Sequence, residues 1–148
     1  MLTIKRLAYE DAQILIKGAE AKAREIGVPM CIAVVDESGF LIAFQRMDGG
    51  KPLSTTLAQD KAHTAAISFK STQAYNEACV PGNLAFGIHT SAGGRFSTVG
   101  GGVPIHIDGA LVGAIGLSGG APTQDIECAE AGIAAFMETH GSSSPNSV

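Results

Sequence analysis

Tryptophan is absent from this 148-residue chain and only 5% of its residues are aromatic, so Ala, Val, Ile and Leu must fill any core. Charge is scarce as well: 16% of residues are charged, against about 25% in an average globular chain. Set beside 45% hydrophobic residues, that balance excludes an intrinsically disordered protein. No apolar run approaches the roughly 20 residues that a membrane-spanning helix needs, so no membrane partner is expected. The N-terminal residues carry charge and no apolar core segment, so no signal peptide is expected and the protein is read as cytoplasmic.

Positive charge is missing from the last third of the chain. Every Lys and Arg lies at or before Arg95, whereas Asp108, Asp125, Glu127, Glu130 and Glu138 follow it. With a net charge of −4, the chain lacks the cationic surface that phosphate neutralisation requires, and no nucleic-acid partner is expected. Cysteine is limited to Cys31, Cys79 and Cys128, an odd number without a CxxC pair, which reads as free thiols in a reducing compartment. His63, His89, His106 and His140 show neither HxH nor HExxH spacing, so no metal site is expected. G-x-G-x-x-G and the lysine of a phosphate-binding loop are missing too, which disfavours nucleotide binding.

What is abundant is glycine, 19 residues without a three-residue period. The pattern predicts a helix over Ala8–Gly27, with Ala12, Leu15, Ile16, Ala19, Ala23 and Ile26 on one side. Met30–Val35 reads as a strand buried on both faces, and a turn at Asp36–Gly39 joins it to a second strand, Phe40–Arg46. Leu53–Phe69 predicts a helix, and Thr72–Cys79 a short one. Val103–Ile107 predicts a strand in which Pro104 marks either a strand end or an edge. Asp108-Gly109 turns it into the strand Ala110–Leu117, and a helix follows over Pro122–Thr139. This order gives an α+β sandwich with an antiparallel sheet flanked by helices, one domain over 1–140. The serine-rich segment 141–148 reads as a disordered tail.

Four constellations offer chemistry. Gly100-Gly101-Gly102 permits either a structural turn or close backbone contact with a ligand. The strand glycines Gly113 and Gly116 favour close packing on a helix, a partner or a flat ligand. Lys61, Thr64 and Ser68 form one helical stripe, either a solvated face or the wall of a cleft where Lys61 holds a carboxylate or moves a proton. Arg46 at a strand end either grips a carboxylate or pairs with Asp48 or Asp125. His63, His89 and His106 are candidate haem-iron ligands.

Together these segments resemble the GlcG/HbpS-like haem-binding proteins, a domain also found at the C-terminus of PduO-type corrinoid adenosyltransferases. The resemblance rests on Ala33-Val-Val-Asp36-x-x-Gly39, Arg46-Met-Asp-Gly49, Lys61-Ala-x-Thr64-Ala65, Gly101-Gly-Val-Pro-Ile105, Gly113-Ala-Ile-Gly116-x-Ser118-Gly119-Gly120 and Gln124-Asp125. It spans about Leu7 to Met137. It implies a profilin-like sandwich that assembles into homo-oligomers, with Lys61, Thr64, Gly101, Gly102 and Asp125 around the family's pocket. Three functions follow as expectations. The first is binding of a small ligand, with haem the first candidate cofactor. The second is a cofactor-independent lyase, hydratase or isomerase, in which Arg46 or Lys61 holds an organic acid and His106, Asp125 or Lys61 moves a proton. The third is an accessory oligomeric protein of a catabolic operon.

Overall fold

The structure is a computed structural model and describes residues 1–141. In chain order the elements are α1 (Tyr9–Ile26), β1 (Cys31–Asp36), β2 (Leu41–Arg46), α2 (Pro52–Ser68), β3 (Gly102–Ile107), β4 (Ala110–Ser118) and α3 (Pro122–Gly141). The strands form one antiparallel sheet in the order β2-β1-β4-β3. β1 is buried at all six positions, as its unbroken apolar run predicts. β3 is an edge strand, which accommodates Pro104.

Alternation along β1 and β4 sends side chains to two cores of different character. Ile32, Val34, Ile115 and Leu117 face α1 and α3, where Leu15, Ala19, Ala129 and Phe136 complete the larger core. Ala33, Val35 and Ala114 face α2 and pack with Ala58, Ala62, Ala65 and Ala66. Small residues on both sides let α2 lie close to the sheet. A side chain at Gly116 would meet the Ala58 carbonyl, so the strand glycine serves helix packing.

Each helix ends where local chemistry requires it. α1 stops at Gly27, which takes the left-handed conformation at φ 72°. Its first amide, that of Ala8, donates to Asp11 Oδ2 over 2.7 Å. α2 begins with Pro52 in its first turn. At α3 the Gln124 side chain accepts the Ala121 amide at 2.9 Å.

Three expectations change. Over 72–79 only Thr72–Tyr75 is helical, as a single 3-10 turn, because the chain there is drawn toward the sheet by Thr72, whose Oγ1 accepts the Gly102 amide at 3.0 Å. Gly141, expected to open the tail, closes α3, and 142–148 lie outside the described residues. Arg46 pairs with neither Asp48 nor Asp125; its Nε donates to the Gly50 carbonyl at 3.0 Å, which closes the loop after β2.

Candidate functional site

The stripe Lys61–Thr64–Ser68 is not a solvated face. Lys61 is 1% exposed and Thr64 fully buried, and only Ser68 is half-buried. α2 points Lys61 across the sheet's end toward the first turn of α3. Its Nζ donates to Asp125 Oδ2 at 2.9 Å and to the Leu117 carbonyl at 3.0 Å. The other carboxylate oxygen of Asp125 accepts the Gly120 amide at 3.0 Å. Each charged group therefore has two hydrogen-bond partners, and the pair ties α2, β4 and α3 together.

The triple glycine belongs to this arrangement. Gly101 has φ 133°, and a Cβ there would lie 2.9 Å from Lys61 Nζ and 2.5 Å from the Leu117 carbonyl. A Cβ at Gly102 would meet the Lys61 carbonyl. The backbone passes so tightly over Lys61 that no side chain fits. Lys61, Asp125, Gly101 and Gly102 are thus brought together, but beneath the surface.

Thr64 acts one turn further along α2. Its Oγ1 accepts the Ser97 amide at 2.8 Å and donates to the Asp60 carbonyl at 2.7 Å, with the Arg95 carbonyl 3.2 Å away. This buried peg fixes the 95–97 backbone against α2. Arg95 is thereby placed beside Asp60, with Nε 3.0 Å from Oδ1.

That ion pair lies in the wall of a groove of about 460 Å³, whose lining includes Gly39, Phe40, Leu41, Gln59, Asp60 and Arg95. The groove exists because β2 is the outer strand and α2 covers it least, leaving β2 exposed at both ends. Its volume is within the usual range for small-molecule sites. Phe40 and Leu41 line it while 71% and 51% exposed.

His63 contacts Gly39 of the groove's lining. Asp36 Oδ1 accepts the amides of Ser38 and Phe40 at 2.9 and 3.0 Å, which shapes the β1–β2 turn. Gly39 then takes φ 86° and aims its carbonyl at His63 Nδ1, 2.9 Å away. A carbonyl only accepts, so Nδ1 carries the proton in this contact, and in the neutral ring Nε2 carries the lone pair. Nε2 has no hydrogen-bond partner among the described residues, and no buried side-chain nitrogen there is unpartnered, so Nε2 reaches solvent.

The other histidines are placed elsewhere. His106 is exposed on β3, beside the register shift between Ile105 and His106. His89 is exposed in the segment between α2 and β3, with Nδ1 3.2 Å from Cys79 Sγ. Sequence reasoning missed both the Gly39–His63 and the Cys79–His89 contacts, because no spacing joins residues 24 and 10 positions apart through irregular turns. The only available signal was Asp36-x-x-Gly39, which marks a turn needing a left-handed residue. Among the described residues, no group of three or more His, Cys, Asp or Glu side chains is placed to hold a metal ion. No described helix is long and apolar enough to cross a membrane.

A four-stranded antiparallel sheet between one helix and a helix pair, with a ligand-sized groove at its outer strand, defines a small α+β domain. The family model for haem-degrading HbpS-like proteins matches residues 7–134, and the chain belongs to that family. A 15.0 kDa protein encoded between dhaT and dhaS in Citrobacter freundii is 35% identical over 91% of this chain and 95% of its own. The crystal structure of Klebsiella pneumoniae ORFY superposes with a TM-score of 0.90 at 29% identity, covering 92% of this chain and 94% of that one. The crystal structure of the PduOC–haem complex superposes at 0.84 with 32% identity, covering 88% and 94%. Against full-length PduO of C. freundii, at 34% identity, the chain spans 40% of that protein's length.

Proposed function

We propose that this protein binds haem, with His63 Nε2 as the axial ligand at the groove between α2 and the β1–β2 turn. The observation that carries the reading is the 2.9 Å contact of His63 Nδ1 with the Gly39 carbonyl. Iron-binding histidines donate their second N–H to such an acceptor, which fixes the tautomer and orients the ring. The donor set fits haem: an open imidazole nitrogen, exposed Phe40, Leu41 and Ile67 for the macrocycle, and Arg95 for its carboxylates. Membership of an HbpS-like family and the haem complex of PduOC support the same ligand. Bound haem supplies a redox-active iron; the chain supplies one nitrogen ligand, an apolar edge and a cation.

Lys61 and Asp125 hold the groove's supporting elements in register in this reading and touch no ligand. Their side chains are only 1% and 3% exposed, which disfavours a proton transfer by this pair to an organic acid. We further propose one domain over 1–140, acting in the cytoplasm as a homo-oligomer. Sedimentation equilibrium tests the assembly, and a monomer at all concentrations contradicts it. A hemin titration of the wild type beside His63→Ala, His89→Ala and His106→Ala tests the ligand. Saturation near one haem per chain, lost in His63→Ala alone, is expected.

A further inference from the structure

Cys79 and His89 form a side-chain pair outside the groove's lining. The chain between them folds back on itself through local bonds. The Cys79 amide donates to the Tyr75 carbonyl, Ala85 to Ala78, and Ile88 to Ala85, each over 3.0 Å. His89 Nδ1 arrives 3.2 Å from Cys79 Sγ, within hydrogen-bond reach of a thiol. Cys79 is half-buried and His89 exposed, whereas Cys31 and Cys128 have no exposed surface. Burial also pushes the Cys128 thiol up to about 11, which keeps it protonated and inert. Beside Cys79, a cavity of about 470 Å³ is walled by Ala74, Glu77, Ala78, Asn83 and Leu84. A nucleophile and a base thus meet in one pair, next in the chain to Ala78 of the cavity wall.

We propose that Cys79 is a thiol-modification site that forms mixed disulfides with small-molecule disulfides, with His89 as its base. His89 takes the thiol proton, and the Cys79 thiolate attacks one sulfur of the small disulfide. A new S–S bond forms to Sγ, the old S–S bond breaks, and the departing thiolate takes the proton from the imidazolium. Cys79 is oxidised and the departing sulfur is reduced, so one thiol leaves for each disulfide consumed. None of this rests on haem binding.

The test treats the native full-length chain with oxidised glutathione and follows intact mass and peptide maps. A single adduct on Cys79, removed by reductant and absent in Cys79→Ser, is expected. His89→Asn should slow its formation about tenfold near pH 7, with the deficit shrinking near pH 9.5, where hydroxide takes the proton in place of His89. No adduct, or one spread over Cys31 and Cys128, overturns the site. A rate unchanged in His89→Asn, or slowed equally at both pH values, overturns the role of His89.

Discussion

His63 donates from Nδ1 to the Gly39 carbonyl over 2.9 Å, and Gly39 provides that carbonyl only because it occupies φ 86°. A Cβ at Gly39 would lie 2.7 Å from His63 Nδ1. Gly39→Ala therefore strains the turn and displaces the imidazole together. It should cost about 1–2 kcal/mol of stability and weaken hemin binding. Gly27→Ala is the control: φ is 72° there, and nothing lies within 4 Å. It should lose similar stability and keep its hemin affinity. Equal hemin affinity in both variants contradicts the role given to Gly39.

The buried Lys61–Asp125 pair predicts a large single-mutant effect. Lys61→Met leaves the Asp125 carboxylate buried with only the Gly120 amide as partner. Losing one member of such a pair costs about 3–5 kcal/mol. Replacing both, as Lys61→Met with Asp125→Leu, should recover part of that loss, read as coupling in a urea double-mutant cycle. Additive losses would show that the pair is not a unit.

Acid should weaken the N-terminal clamp. Arg6 binds Glu37 through two nitrogens, at 2.6 and 2.8 Å, and this bond holds the Glu37 carboxyl below its ordinary value. A depressed carboxyl stabilises the fold above its unfolded value, about 4.3, and loses that contribution as pH falls through the folded value. Thermal denaturation across this window should show a steeper acid-side decline in the wild type than in Glu37→Gln. Parallel profiles would contradict it.

Arg95 should discriminate between ligands. It lines the groove with its Nε on Asp60 and is the cation available to haem carboxylates. Bonds to charged groups contribute about 1.5–3 kcal/mol, so Arg95→Gln should weaken hemin about tenfold or more and hemin dimethyl ester little. An equal loss for both ligands assigns Arg95 a structural role alone.

Much of the fold was legible in the residues. The unbroken apolar run of β1 and the Asp-Gly turn at 108–109 each have one good structural solution, and the sheet adopts it. The site was less legible. Lys61, Thr64, Gly101, Gly102 and Asp125 stood out as residues, but a lysine on a helix says nothing of burial. Whether it meets water or a carboxylate depends on α3, 64 residues away. His63 carried no local mark, because its orientation comes from a carbonyl in the β1–β2 turn, 24 residues away.

The central claim is that His63 Nε2 binds haem iron, and absorbance during hemin titration tests it most directly. The account predicts a saturable Soret shift near one haem per chain, abolished in His63→Ala and retained in His106→Ala. A saturable shift that survives in His63→Ala, or no saturable shift in the wild type, contradicts it.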